Sequence, residues 1–538
     1  MTHVKRIAVC LGWLVAEIFA SVAAHAGPGS VEVQTVGDIK IKMGAQIRIV
    51  PTGEIDRDFG LSDSLGVNES KAASAMRALG VGTDSTRVHL NEAGGAVKDD
   101  HIRGENRLFF NFSHGKDWDV YMALESDTVL DRMSADRTDF AMGRQTQQFG
   151  IERLMATFNI PTISSRLEAG WDARGVDIGY GGLVYGDDDP GIGIVGKANG
   201  FTWEARYLKK DENEAGYYTD IVNNAPLNPI GPPSQDKDSD RTFWYGKAGY
   251  DFSGTYLEAF YMLDRNAMQT METDRNFTGL QGKGTYGIVK PLGEVVYSFG
   301  DYKRGDVDKD VDSWAAFADV ALDLKDMVGL KVFEPHVGGY WVQGDDDPTD
   351  DDLEGFASAV GIDRFTPRFG SEQSISMDGN PIFGQILYSM LPIYYGTVRG
   401  AGINGGAALD NPGFRMIGGG LTAGYGKWTY VTNVMAMWFD EPEAVEAYYN
   451  AQALSLNQSA AFNADIDDFM GVEWNNEIRY KLYDAVTIKG GVAFLFPGSG
   501  AEDITKALNA IANGVDFEEG KKSDDISTRV ASELLWFF

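Results

Sequence analysis

The most regular feature of the chain is a two-residue alternation of apolar and polar side chains. From Ile39 to Ile49 the odd positions are Ile39, Ile41, Met43, Ala45, Ile47 and Ile49, and the even ones are Lys40, Lys42, Gly44, Gln46 and Arg48. Trp118, Val120, Met122 and Leu124 alternate with Asp119, Tyr121, Ala123 and Glu125. Val472, Trp474 and Ile478 alternate with Glu473, Asn475, Glu477 and Arg479, and Val486, Ile488, Val492 and Phe494 with Thr487, Lys489 and Ala493. Alternation places one set of side chains on each face of a strand. Each segment runs for about ten residues, the length of a tilted strand that crosses a membrane. Trp, Tyr and Phe collect at the strand ends, as the aromatic girdles of a membrane barrel do.

The pattern predicts an all-β fold: a transmembrane antiparallel β-barrel of about 18 strands. Short polar links are expected at His114 to Asp117, Asn199-Gly200, Ser253-Gly254, Gly424 to Lys427 and Tyr483-Asp484. Long links are expected at 51–103, 209–241, 344–412, 440–467 and 497–524. Tight periplasmic turns opposite long extracellular loops are the asymmetry of such barrels. An even strand count puts both termini in the periplasm. The fourth and fifth strands are expected at 138–146 and 174–181, which leaves 147–173 on the periplasmic side, folded into the lumen or holding a further strand.

The last strand carries the sharpest local signal. Leu534, Trp536 and Phe538 share one face, and Arg529 and Glu533 the other. A terminal aromatic on an alternating strand is the expected assembly signal, with the barrel-assembly machinery as partner. At the other end, Lys5 and Arg6 precede a mostly apolar run from Ile7 to Ala23, and Ala24-His25-Ala26 fits a small-x-small cleavage site. Residues 1–26 are therefore expected to be a cleaved signal peptide, and 27–538 a single barrel domain. Cys10, the single cysteine, falls within the signal, so no disulfide is available afterwards.

Net charge is −32, and loss of Lys5, Arg6 and Glu17 with the signal takes it to −33. That balance argues against nucleic acid, whose phosphates need a basic stripe. Acid clusters at Asp187 to Asp189, Asp345 to Asp347 and Asp350 to Asp352. Solvated loops explain most of it. Asp345, Asp346, Asp347 and Asp350 are weak candidates for calcium, because crowded carboxylates attract hard cations.

Enzyme chemistry finds little support. Gly191 to Gly196 spells GxGxxG, but the run is strand-like and an alternating strand follows it, where a dinucleotide site needs a helix. Asp306, Asp308 and Asp310 imitate the start of an EF-hand loop, yet Val311 replaces its glycine and Phe317 its bidentate glutamate. His89, His101, His114 and His336 form no HxxxH pair, and there is no GxSxG elbow. No catalytic residue is assigned, and the protein is expected not to be an enzyme.

Basic residues on the polar face of the strands matter more. Lys40, Lys42, Arg48, Arg107, Arg206, Arg479, Lys489 and Arg529 would line the lumen, and rings of Arg and Lys favour anions. Asp119, Glu125, Asp177, Glu204, Glu473, Glu477 and Glu533 share that face, so a mixed lumen stands beside a dedicated anion path.

The stretch MGRQTQQFGIERLMATFNIPTISSRLEAGWDARGVDIGY at 142–180, with Gly143, Arg144, Gln145, Phe149, Gly150, Arg153, Leu154 and Arg166, resembles the alginate-export family of outer-membrane porins. GGYWVQGDDDPTDDD at 338–352 is similar to that family's acidic loop. The resemblance implies an Arg-lined barrel that passes anionic solutes or polysaccharide, with Arg144, Arg153 and Arg166 in the pore wall. The expected function is an outer-membrane porin for small hydrophilic solutes. The alternative is a plugged barrel serving as a scaffold or binding protein, an electron-transfer conduit or an adhesin.

Overall fold

The computed structural model describes residues 31–56, 59–60, 98–129, 150–177, 183–211, 219–220, 225–226, 240–268, 271–304, 307–359, 368–369, 374–375, 411–455 and 462–538. The expected signal segment 1–26 and the expected strand 138–146 lie outside them.

Eighteen antiparallel strands close into a barrel. They are β1 (Ile39–Ile55), β2 (Lys98–His114), β3 (Trp118–Val129), β4 (Gly150–Ile160), β5 (Ser165–Gly175), β6 (Gly186–Ala198), β7 (Phe201–Asp211), β8 (Arg241–Asp251) and β9 (Thr255–Met268). The ring continues through β10 (Met271–Gly284), β11 (Val289–Arg304), β12 (Val307–Leu322), β13 (Val332–Val342), β14 (Phe414–Tyr425), β15 (Trp428–Trp438), β16 (Phe469–Tyr483), β17 (Val486–Pro497) and β18 (Ser527–Phe537). Each strand pairs with its neighbours in sequence, and β18 returns to β1 with Phe537 opposite Gln46 and Thr528 opposite Ile55. The closure ends on Phe538, whose N–H donates to Ala45 O at 3.0 Å. A short strand, Val31–Val36, pairs with the start of β1 just below that point.

Closure satisfies every ladder without an exposed edge, which is what lipid demands of a backbone. The outer face is apolar, with Ile417, Val434, Trp474, Ile488 and Leu534 exposed along it. Among the described residues no helix is long and apolar enough to cross a membrane. The strands do the crossing, and the location is the outer membrane, where closed barrels of this kind reside.

Both described termini and the five short links expected from the sequence lie at one end. The Asn199-Gly200 link places both residues in the left-handed region, φ 52° and 86°, as a two-residue hairpin turn requires. The other end carries the long links, but two of its links are only residues 269–270 and 305–306. Two of the long ones hold helices that alternation does not announce, α1 (Glu443–Ser455) and α2 (Ser499–Asn513).

The sequence reading counts the strands correctly and misplaces two of them. The stretch 147–173 is not a periplasmic segment: it supplies β4 and most of β5, joined by the turn Pro161–Ile163. Of the expected strand 174–181 the described residues are 174–177, and among these Arg174 and Gly175 are strand. The cause is a β-bulge. Ala123 pairs with Arg153 and Leu124 with Ile151, so Glu152 is the extra residue. Ile151 and Leu154 therefore both face outward three positions apart, and the two-residue period is lost.

Candidate functional site

Strand parity turns the predicted basic residues inward, and register decides what each one meets. Arg48 on β1 bridges Glu105 of β2 at 2.8 Å and Glu533 of β18 at 3.1 Å. Lys489 reaches Glu533 at 2.9 Å. Arg107 sits among Glu105, Glu125 and Glu152, the last at 2.8 Å. Arg206 pairs with Glu168 and Glu204, and Arg479 with Glu477. Lys40 lies near the turn-side rim, 3.9 Å from Glu32, and Lys42 stands opposite Asn111. Carboxylates of the same strand or of nearby strands thus accompany most of these bases.

The bulge brings Glu152 and Arg153 to the same face. Arg153 contacts Glu152 at 3.3 Å, Asp188 at 3.4 Å and Asp172 at 3.8 Å. Arg166 meets Glu168 at 2.5 Å. Arg144 lies outside the described residues. Alternation does not mark Glu152 as a member of this cluster, because the bulge on β4 sets two successive residues on one face.

Two long links fold into the barrel instead of projecting from it. Between β5 and β6, Val176 O accepts from Gln281 at 3.0 Å, and the Asp177 carboxylate accepts from Val184 N and Tyr185 N, both at 2.8 Å. Burial pushes the Asp177 carboxyl above its ordinary range, against the hydrogen bonds that favour its charge. Between β13 and β14, Ala357 O and Ser358 O accept from Arg275 on β10, and Ala359 O from Arg241 on β8. Further along this link Arg368 pairs with Asp319 on β12. Ser374 donates to Glu473 on β16 at 2.8 Å, and Arg529 on β18 donates to Ser374 O at 2.8 Å. The described contacts of this link thus run from β8 and β10 through β12 to β16 and β18, nearly half of the ring.

The inner face of β8 to β15 is built for this. Phe243, Phe260, Met262, Phe277, Phe317 and Met435 are buried against Phe356, Phe369 and their neighbours in one apolar cluster. A run of strands apolar on both faces is the sequence signal that something packs inside.

On the turn side of the infolded links lies a cavity of about 770 Å3. Seven of its lining residues are basic (Lys116, Arg166, Arg174, Lys197, Arg206, Lys247, Lys283) and five are acidic (Glu168, Asp172, Asp177, Glu204, Glu258). Trp203 and Tyr256 add flat apolar surface.

The weak calcium candidates are arranged otherwise. The Asp347 carboxylate accepts from Thr349 N at 3.1 Å, and Asp350 accepts from Asp352 N at 2.8 Å. Asp345 is buried and its N–H donates to Asn411 O at 2.8 Å, while Asp346 stays exposed. Among the described residues no group of three or more ligating side chains assembles to hold a metal. The Asp347 and Asp350 side chains thus cap local turns.

No family model matches the chain, and no curated protein matches it in sequence. Solved structures similar to it include Pseudomonas aeruginosa OccK11 (OpdR), at 8% identity and TM-score 0.45, covering 94% of this chain and 99% of that one. P. aeruginosa OccK2 (OpdF), in complex with glucuronate, is similar at 11% identity and TM-score 0.45 over 93% and 98%. Acinetobacter baumannii OccAB3 is similar at 9% identity and TM-score 0.46 over 93% and 99%.

Proposed function

We propose that the protein is a passive channel that carries small hydrophilic solutes across the outer membrane, with a bias to anions. One observation carries the reading: within a chain of net charge −32, the cavity beneath the infolded links is lined by seven basic and five acidic residues. A water-filled path whose narrow part carries an excess of Arg and Lys lowers the barrier for anions. Arg144, Arg153 and Arg166 are the candidates that the alginate-export resemblance adds to the pore wall. The infolded links narrow the lumen, which favours small anionic solutes over an anionic polysaccharide as cargo.

Export through a cleaved signal over residues 1–26, and recognition of Leu534, Trp536 and Phe538 by the barrel-assembly machinery, belong to the same proposal. The aromatic rings of Trp536 and Phe538 lie 5.4 Å apart, on the strand that closes the barrel.

Planar-bilayer recording tests it. Discrete conductance steps are expected, with a reversal potential in a potassium chloride gradient on the chloride side. A potassium-side potential would overturn the anion bias. Absence of current in any salt would favour the plugged-barrel reading, for which the bridged lumen is the supporting observation.

A further inference from the structure

His336 lies on the inner face of β13, its side chain 3% exposed, and both ring nitrogens meet acceptors. Nδ1 is 2.7 Å from Asp319 Oδ2 on β12, and Nε2 is 2.9 Å from Asn433 Oδ1 on β15. The second contact passes over β14. It is possible because Gly420 stands at that point: a Cβ there would collide with Asn433 Oδ1 and His336 Nε2.

The Asn433 amide is oriented by its other partners. Its Nδ2 donates to Phe369 O and to Asn475 Oδ1, both at 3.1 Å. Reversed, it would set oxygen against a carbonyl that can only accept. Asn475 cannot turn to relieve this, because its own Nδ2 donates to Phe369 O at 3.3 Å and Glu473 Oε1 at 3.2 Å. The oxygen of Asn433 therefore faces His336, and Nε2 needs a hydrogen. Arg368 holds the other oxygen of Asp319, which keeps that group a carboxylate and an acceptor, so Nδ1 needs a hydrogen too. A neutral imidazole has one N–H and would leave one of the two contacts as lone pair against lone pair.

We propose that His336 is a positioning residue: as an imidazolium strut it locks the infolded segment at Phe369 to the barrel wall, and loss of one ring proton releases that segment and changes conduction. Only the last step rests on the reading of the lumen as a channel. The coupling is short. The Phe369 ring packs edge-on against His336 at 4.8 Å, and its carbonyl takes hydrogen bonds from Asn433 and Asn475.

The charged and titratable groups around the strut are few. Asp319 faces it from β12 and Arg368 from the infolded link. Tyr340 on β13 lies within electrostatic reach of both Asp319 and Glu294 of β11. Glu334 on β13 is occupied by Lys290, and Glu473 on β16 connects through Asn475. From β14 the neighbours are Gly418 and Gly420, which bring no charge.

Amide hydrogen exchange on the detergent-solubilised full barrel tests the strut without reference to conduction. Peptides covering Arg368-Phe369 and Ser374-Ile375 are followed from about pH 5 to about pH 9, corrected for intrinsic exchange. Their protection is expected to fall with rising pH by on the order of tenfold or more, the worth of a charge-assisted hydrogen bond. In His336→Gln it is expected to stay level. Asp177, the buried carboxyl on the other infolded link, is present in both proteins, so the difference between the profiles belongs to His336. Identical wild-type and His336→Gln profiles overturn the proposal. Should His336→Gln fail to form a barrel, Gly420→Ala keeps the histidine and wedges apart its contact with Asn433; a profile like that of wild type then overturns it. Single-channel recording over the same pH range separates the two readings. An exchange response with no current leaves the strut and removes the channel, and current with no exchange response does the reverse.

Discussion

The backbone N–H of Ala359 donates to the carbonyl of Val184 across 2.9 Å, although the two residues belong to different links of the barrel. That bond joins the β5–β6 link to the β13–β14 link inside the lumen. It ties two separate loops into one bar.

The bar hangs on Arg275, which is buried and donates to Asp264 Oδ2 and Ala357 O, both at 2.9 Å. Arg275→Ala leaves two loop carbonyls without this donor, and Asp264 with Arg241 as its remaining arginine. Breaking a buried pair of this kind costs about 3–5 kcal/mol. A lower thermal midpoint in detergent is expected, together with larger and noisier current steps. A silent substitution would mean that the bar does not depend on this anchor.

Two glycines on neighbouring parts of the ring should answer differently to the same methyl group. At Gly420 a Cβ meets Asn433, His336 and the Thr432 carbonyl, and overpacking of this sort costs about 1–3 kcal/mol. At Gly490 on β17 a Cβ meets nothing within 4 Å, and the change should stay within about 0.5 kcal/mol. Urea titration of both alanine variants measures the gap, and equal midpoints would contradict the notch described at Gly420.

Arg107 serves Glu105, Glu125 and Glu152 together. Arg107→Met exposes the lumen to three carboxylates without their shared cation. The reversal potential should move toward potassium, and Arg107→Lys should restore only part of it, because a point charge cannot fork between three partners. An unchanged potential would place Arg107 away from the conducting path.

The membrane boundary on the outer wall can be read from two substitutions. Val434→Arg on the exposed lipid face should cost about 2–4 kcal/mol if it lies near the bilayer midplane. Asp301 stands in register between Asp274 and Asp310, all three exposed beyond the girdle of Tyr297 and Trp314. Asp301→Lys should stabilise by about 0.2–1 kcal/mol, because like charges directly opposite repel. Equilibrium folding into liposomes measures both. A large penalty at Asp301 would raise the boundary above this row.

The sequence by itself determined what depends on period and neighbour. Alternation from Ile39 to Ile49 and from Val486 to Phe494 specifies strands with a lipid face and a water face. Asn199-Gly200 specifies a hairpin, and the row Leu534, Trp536, Phe538 specifies the closing strand. Those are local properties of a backbone with a two-residue repeat. One extra residue, Glu152, was enough to hide β4, because a bulge moves every following side chain of the strand to the other face of its period. Only the tertiary structure decided what stands inside the ring. Arg48 meets Glu533 across almost the whole chain length because closure puts β1 beside β18. Arg275 meets Ala357, and His336 meets Asn433, because a long link turns inward and a strand without a side chain lets one residue reach past it. Contacts between residues so far apart in sequence leave no periodic trace. The apolar inner faces of β8 to β15 are the nearest thing to one: they record that something covers them, not what it is.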